Sequence, residues 1–231
     1  MPKVDKMPYT TAIILAGGSG RRMQSELTKQ RMTLSGMSVL KRSVLAFEGC
    51  DNIKDIIVVV RIDEIELFQQ ELSGLKKVRC VCPGGDTRAE SARRGFMHVS
   101  ADAEYVAIHD AARPLIKPSD ITRVLNVAIE KGAAFAAAPV YDTVKVIDST
   151  SKVVSTPKRN NLVRATTPQI FEKKIYERAL AMADGLAEFT DDNMMVERMG
   201  KEVYAVVLDN ENPKLTTKDD IKLFELLLSE R

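Results

Sequence analysis

The stretch TAIILAGGSGRRM, residues 11–23, joins an apolar run to a glycine-rich turn that ends in two arginines. Thr11–Leu15 is apolar almost throughout, which is typical of a strand covered on both faces of a parallel sheet. Glycines let the backbone turn sharply and bring its N–H groups against phosphate oxygens. Arg21, Arg22 and the later Lys29 add cationic donors beside the same turn. The stretch therefore predicts an α/β fold whose first loop binds phosphate.

Two well-known phosphate-binding turns do not fit these residues. A dinucleotide-binding turn has a third glycine, and counting from Gly18 places Met23 at that position. A Walker loop ends in Gly-Lys-Ser or Gly-Lys-Thr, which does not follow here. A turn that only connects a strand to a helix remains an alternative. The basic residues that follow favour phosphate binding by another scheme.

Further along the chain, short apolar runs alternate with stretches of helical period. Asp63 with Glu66 and Thr87 with Glu90 have the spacing of a capping box, and Gly132 closes a third helix. Repeated strand–helix–strand units imply right-handed crossovers and a mostly parallel sheet covered by helices. We therefore predict a single Rossmann-like domain over residues 1–231. Its other strands are expected at Ile56–Val60, Val78–Cys82, Tyr105–Ile108 and Ala134–Ala138.

Residues 141–159 interrupt this alternation, because they are polar and β-prone and contain no helical pattern. Their valines suit a hairpin better than a long loop, and a hairpin that leaves a compact sheet needs something to pair with. We expect a β-arm for dimerisation at about 141–159, giving a homodimer. After it we expect helices near Glu172–Ala183 and Asp191–Met199, a strand at Val203–Leu208 and a helix at Lys218–Leu227.

Composition narrows the function classes. The net charge of +2 is too small for a surface that coats nucleic acid, and the absence of Trp disfavours a base-stacking protein. Three cysteines, with an odd count and no convincing partners for zinc, fit structural roles in a reducing compartment. The apolar run Ala12–Ala16 is too short for a signal peptide or a membrane span. We expect a cytoplasmic protein without nucleic-acid or membrane partners.

Two more loops follow predicted strands and are expected at the same sheet edge. In HDAARP, residues 109–114, Asp110 suits Mg²⁺ held over a triphosphate, because that ion needs few protein oxygens. The alternative is that Asp110 caps a turn and pairs with Arg113, while His109 is more typical of a packed strand residue. GGDTRAES, residues 84–91, opens into a helix N-terminus, a favourable place for an anion or a nucleobase.

With these motifs placed, together with DTVK at 142–145, TPKR at 156–159 and PKLTT at 213–217, the chain closely resembles the 2-C-methyl-D-erythritol 4-phosphate cytidylyltransferases. The resemblance covers about Ala12 to Leu226. It implies transfer of CMP from CTP to methylerythritol phosphate, with Mg²⁺, in a homodimer whose arms cross. Ribitol-5-phosphate cytidylyltransferases share the fold and the first loop, but tend to have Ser-Val where Ala111-Ala112 stands here.

The resemblance also implies a role for each matching residue. Arg22, Lys29, Arg159 and Lys214 would be catalytic, and Asp110 would hold the metal. The nucleotide would contact Ala16, Gly17, Gly18, Gly85, Asp86, Arg88, Ser91 and Ala111. The methylerythritol phosphate would contact Thr143, Arg159, Thr167, Thr190 and Lys214. The chain departs from the usual pattern at Thr28, where the family has Pro, at Val163-Arg164 and at Asp192–Met195.

The proposed chemistry agrees with the residue types. In-line displacement at a phosphate needs positioned cations rather than a covalent nucleophile, since a phosphate monoester is already nucleophilic. Two other classes remain as alternatives. A dehydrogenase would need the missing third glycine, and a non-catalytic nucleotide sensor would not need Lys29, Arg159 and Lys214 together.

Overall fold

A computed structural model describes residues 7–17, 28–183, 189–209, 212–217 and 219–230. A seven-stranded sheet forms its centre, with the strand order β11-β7-β10-β6-β1-β4-β5. These strands are β1 (Thr10–Leu15), β4 (Ile53–Val60), β5 (Val78–Pro83), β6 (Tyr105–Asp110), β7 (Ala133–Pro139), β10 (Val163–Glu172) and β11 (Tyr204–Val207). Two small hairpins stand apart from this sheet: β2 (Thr33–Leu34) with β3 (Met37–Ser38), and β8 (Val146–Ile147) with β9 (Val153–Ser155).

The prediction of a mostly parallel sheet is confirmed. β1 lies in the centre and pairs in parallel with β4 and β6, and β7 pairs in parallel with β11. β10 is the exception, because it runs antiparallel between β6 and β7. The sequence did not predict this strand, since polar residues such as Thr166, Thr167 and Gln169 interrupt its apolar pattern.

Seven α-helices cover the sheet in the described part of the chain, and most of the predicted helix ends are correct. Thr87 caps α3 by accepting from the Glu90 N–H at 3.0 Å, and Gly132 ends α4 with a φ of 89°. The capping box predicted at Asp63 is wrong, because a 3₁₀ turn at Ile62–Glu64 precedes α2. The helices are α1 (Val39–Glu48), α2 (Ile65–Glu71), α3 (Arg88–Phe96), α4 (Pro118–Lys131), α5 (Lys173–Met182), α6 (Asp192–Arg198) and α7 (Asp220–Ser229).

Alternate residues of β1 face two separate apolar layers. Ala12 and Ile14 belong to the layer that packs against α1 and α4, whereas Ile13 faces the layer beneath α3 and α5. Gly95 lets α3 approach closely, since a Cβ there would lie 2.5 Å from Cγ2 of Ile13. This close packing fixes α3, and therefore the loop before it, against the sheet.

The predicted hairpin within residues 141–159 is present, but it is short and exposed. Val146 pairs with Ser155 and Ile147 with Val153, and all five residues of β8 and β9 are exposed. None of the described helices is long and apolar enough to cross a membrane. The dimerising role of the arm and the cellular location remain predictions.

Candidate active site

The three predicted loops meet at the carboxyl edge of the central strands. A backbone hydrogen bond ties the start of each loop to the end of a neighbouring strand, from Ala16 N–H to Val59 O at 2.7 Å, from Gly84 N–H to Val60 O at 2.7 Å, and from Ala111 N–H to Leu15 O at 2.9 Å. Parallel strands bring their carboxyl ends to one edge, which is why motifs far apart in sequence are neighbours here.

Asp110, the last residue of β6, holds two cations. Its Oδ1 accepts from Arg88 Nε at 3.0 Å, and its Oδ2 accepts from Lys214 Nζ at 2.6 Å. Burial would raise the pKa of this carboxyl, but the charges of Arg88 and Lys214 outweigh burial and lower the pKa well below its usual range. Asp110 therefore stays ionised and holds both cations at the edge.

Arg88 also reaches a second carboxylate, which ties the first turn of α3 to α6. Its Nη1 donates to Asp192 Oδ2 at 2.6 Å, and Asp192 is fully buried. The Tyr176 hydroxyl donates to Asp192 Oδ1 at 2.6 Å. Burial lowers the pKa of Arg88, but the charges of Asp192 and Asp110 outweigh burial and raise it overall. Arg88 is therefore a bridge between two carboxylates, a role that the sequence did not suggest.

The alternative interpretation, in which Asp110 caps a turn and pairs with Arg113, is half correct. The Arg113 N–H donates to Asp110 O at 3.0 Å, so a turn does form, but the Arg113 side chain donates to Asn212 O at 2.7 Å instead of pairing with Asp110. Asn212 is fully buried and its Nδ2 donates to Thr167 O at 2.7 Å. The predicted ion pair with Arg113 is wrong, because Arg88 and Lys214 occupy the carboxylate oxygens.

Thr167 lies beneath the edge and links β10 to β6. Its Oγ1 accepts from the Asp110 N–H at 3.0 Å and lies 3.0 Å from Nδ1 of His109. His109 is fully buried and packs on Phe47 with ring centroids 4.9 Å apart. Burial lowers the pKa of His109 to about 3, so its ring is neutral at physiological pH. His109 is thus the packed strand residue that the sequence indicated.

The loop before α3 is fixed by its own helix. The Ser91 hydroxyl donates to Thr87 O at 2.9 Å and accepts from the Gly85 N–H at 3.0 Å. The Glu90 carboxylate accepts from the Asp86 N–H at 3.0 Å, and a Cβ at Gly85 would collide with that carboxylate. A rigid loop of this kind can present backbone groups to a ligand without rearrangement.

The other predicted site residues do not all lie at the carboxyl edge. Ala16 and Ala111 are buried beneath the edge, while Asp86 and Lys214 are exposed beside it. Thr143 and Arg159 lie at the base of the hairpin, where Arg159 Nη1 donates to Tyr141 O at 2.8 Å. Thr190 donates to Sδ of Met194 at 2.9 Å. Gly18 and Arg22 lie outside the described residues, as does the side chain of Lys29.

Among the described residues, no cluster of three or more His, Cys, Asp or Glu side chains could hold a metal by itself. The Asp110 carboxylate lies at this edge, beside the loops. Each of its oxygens has a cationic partner, Arg88 at Oδ1 and Lys214 at Oδ2. Such a site suits a divalent ion that arrives with phosphate ligands, because Mg²⁺ is commonly held by one or two carboxylates plus substrate phosphates.

An α/β sheet with rigid loops and paired cations at its carboxyl edge is the architecture of an enzyme that works on nucleotide phosphates. Comparison with known proteins narrows this class. The family profile of 2-C-methyl-D-erythritol 4-phosphate cytidylyltransferase matches residues 10–230. The chain belongs to this family, whose members are nucleotidyltransferases.

Individual relatives agree over nearly the whole chain. The cytidylyltransferase of Lachnoclostridium phytofermentans is 40% identical over an alignment of 231 positions, which covers 97% of this chain and 98% of that protein. The cytidylyltransferase of Alkaliphilus metalliredigens is 37% identical, covering 96% and 93%. The crystal structure of 4-diphosphocytidyl-2C-methyl-D-erythritol synthase from Anaerococcus prevotii superposes with a TM-score of 0.84 at 28% identity, covering 97% of this chain and all of that one.

Proposed function

We propose that this chain transfers CMP from CTP to 2-C-methyl-D-erythritol 4-phosphate and releases pyrophosphate, the reaction for which its family is named. The observation that supports this most directly is the ion-paired Asp110 at the carboxyl edge, between Arg88 and Lys214. This edge presents positioned cationic side chains of the kind that phosphate chemistry requires.

The acceptor phosphate attacks the α-phosphate of CTP in line, and the bond to the leaving pyrophosphate breaks. Arg22 and Lys29 stabilise the negative charge that grows at the α-phosphate. The nucleotide lies along the first loop and the loop before α3, against Gly17, Gly85, Asp86 and Ser91. Lys214, which is 41% exposed at its side chain, can turn from Asp110 towards an arriving phosphate.

Asp110 is the residue that we propose as the Mg²⁺ ligand. When bound there with CTP, the ion would neutralise charge on the phosphates. Asp110 would hold the ion through its carboxylate, and Arg88 would stay bound to that carboxylate, because Arg88 is also held by the buried Asp192. Lys214, whose ammonium donates to Asp110 Oδ2, would bind the acceptor phosphate.

Substrate choice tests this proposal. We expect pyrophosphate release from CTP with methylerythritol phosphate to be far faster than with ribitol 5-phosphate. The comparison is made on kcat/KM for both acceptors under the same conditions with excess Mg²⁺. Equal or reversed values would contradict the assignment and favour a ribitol-phosphate enzyme. CTP binding without turnover of either acceptor would favour a nucleotide sensor.

The hairpin supports a second part of the proposal, a homodimer in which Arg159 serves the partner's site. The exposed fractions of Ile147, Val153 and Val154 are 55%, 53% and 64%, although these side chains are apolar. A second copy of the hairpin would cover them, and a two-fold dimer places the same surface on both partners. Arg159 at the base of this hairpin could then hold a phosphate of the neighbouring site with its planar guanidinium.

Mixing two inactive variants tests the shared site. Arg159→Ala and Lys29→Ala chains, refolded together, should form heterodimers in which one site has both defects and the other has neither. A substantial fraction of wild-type activity should return. If Arg159 acts within its own chain, every site in the mixture is damaged and activity stays absent.

A further inference from the structure

Thr28 makes a contact that reaches from the first loop to the end of β4. Its hydroxyl donates to Oε1 of Glu64 at 2.6 Å, although the two residues are 36 positions apart. Distances of this size are typical of a hydrogen bond from a hydroxyl to an ionised carboxylate, which is stronger than a bond between neutral groups. The contact therefore fixes Thr28 against the carboxyl edge of the sheet.

Glu64 is unusual for a glutamate that follows a strand, because it is only 3% exposed. Its other oxygen, Oε2, is buried and accepts no hydrogen bond in the described part of the chain. A buried carboxylate with few donors depends strongly on each one that remains. The charge of Glu64 also raises the pKa of Arg61, although the hydrogen bond and charge of Asp63 raise it more.

Thr28 in turn begins the 3₁₀ turn Lys29–Arg31, which the Arg31 N–H closes by donating to Thr28 O at 3.0 Å. The hydrogen bond from the Thr28 hydroxyl to Glu64 thus holds this short turn against the 3₁₀ turn that contains Glu64.

Because residue 28 is a threonine, this contact adds a restraint on the backbone that the residue itself does not supply. A proline would fix its own φ near −65° by its ring, whereas threonine has no such restraint. A tether from the side chain supplies the restraint by another route. The residue directly after this position is Lys29, the cation assigned to the α-phosphate.

We infer that Glu64 is a positioning residue of the transfer reaction, which acts through the Thr28 hydroxyl on the backbone that presents Lys29. The inference rests on the proposed function only in that Lys29 is taken as catalytic. Because Glu64 is buried, its effect is to restrict the backbone directions available to Lys29 before CTP binds.

Four variants test this inference through kcat and KM for CTP. Thr28→Val keeps the shape but removes the donor, and it should lower kcat about tenfold while KM changes less than twofold. Thr28→Ser keeps the donor and should stay within twofold of wild type. Glu64→Gln should lower kcat less than Thr28→Val does, because a neutral acceptor remains. The double variant Thr28→Val/Glu64→Gln should be no worse than Thr28→Val, since both changes break the same contact.

A matched control separates positioning from general stability. Thr122 accepts from Asn52 Nδ2 at 3.1 Å beside the amino end of β4, far from the candidate site. Thr122→Val should lower the melting temperature by a similar amount and leave kcat unchanged. The inference is overturned if Thr28→Val keeps wild-type kcat, if Thr28→Ser loses as much as Thr28→Val, or if the losses from positions 28 and 64 multiply in the double variant.

The Lys29→Ala variant distinguishes this failure from that of the proposed function. If Lys29→Ala loses kcat and Thr28→Val does not, the tether is refuted and the catalytic role of Lys29 stands. If Lys29→Ala keeps its kcat, both the catalytic role and the inference built on it are refuted.

Discussion

The carboxyl edge of the sheet and the β8–β9 hairpin differ in whether their side chains find partners within the chain. At the edge, the carboxylates of Asp110 and Asp192 have cationic partners within the same chain. On the hairpin, the side chains of Ile147 and Val154 are more than half exposed. The described ion pairs of the edge form within one chain, whereas the hairpin has an apolar surface that the described part of the chain leaves exposed.

This difference predicts that substitutions in the two regions affect different properties of the protein. A change at the edge alters buried charges, so it should affect folding or chemistry in each chain by itself. A change on the hairpin alters only exposed side chains, so it should affect association and leave the folding of each chain nearly unchanged. The following four changes test this separation.

The largest effect on folding is expected from Arg88→Met. This change leaves Asp192 buried without its cation and removes one of the two cations at Asp110, which should lower the free energy of unfolding by about 3–5 kcal/mol. Urea unfolding followed by circular dichroism measures it. Arg123→Met is the control, because its partner Asp209 is almost fully exposed, and its effect should be much smaller. Equal effects for the two variants would contradict the buried bridge.

The next largest effect is expected from Lys29→Ala, this time on chemistry alone. A cation that acts in the transition state should lower kcat by roughly 10²–10³-fold when it is removed, with little change in KM for CTP. Steady-state pyrophosphate release measures both constants, and an unchanged melting temperature is the control for folding. A raised KM with kcat preserved would remove the catalytic role assigned here.

The buried His109 should make stability depend on pH. The unfolded chain protonates this ring below about pH 6.5, whereas the folded chain does so only near a pKa of about 3. The folded state therefore loses stability as pH falls through this window, by up to roughly 1.4 kcal/mol per pH unit. Urea unfolding between pH 7 and pH 5 should show a flatter slope for His109→Asn than for wild type. Parallel slopes would show that the folded ring is not held neutral.

The smallest effect on folding is expected from Ile147→Asp on the hairpin. The new charge should weaken the proposed dimer at least about tenfold, because it stands on the apolar surface that the partner would cover. Sedimentation velocity measures association, and the unfolding free energy of the monomer should be unchanged. Lys152→Glu, at the exposed turn of the same hairpin, is the control for added negative charge. A monomeric wild-type chain would refute the arm.

The sequence predicted those parts of the fold that depend on local pattern. Apolar runs located β1, β4, β6 and β7, because a strand buried on both faces is apolar along most of its length. A shorter apolar run also located β5, although this strand lies at the sheet edge and its Arg79 is exposed. β10 did not follow this rule. Its buried Thr166, Thr167 and Gln169 form hydrogen bonds to other strands and loops, so polar residues there are satisfied without solvent.

The same limit applies to the site. The sequence predicted that the loops after β1, β5 and β6 would meet, because strand direction decides this. It did not predict which charges would pair. Arg88 is 104 residues from Asp192, and Lys214 is 104 residues from Asp110. No local pattern encodes such pairs, so the nearby Arg113 was a plausible partner for Asp110 until the fold was known.

β10 leaves the hairpin exposed at Val163–Ala165 and becomes buried from Thr166 onwards. One strand therefore spans a region that solvent reaches and a region that solvent does not. Amide protons in the first part can exchange through small local openings, whereas those beside Ile170 exchange only when much of the sheet opens. We expect the boundary between fast and slow exchange between Ala165 and Thr166, next to Thr167, which contacts the Asp110 backbone. Isotope labelling along this single strand would thus report how far a disturbance at the hairpin travels towards the site.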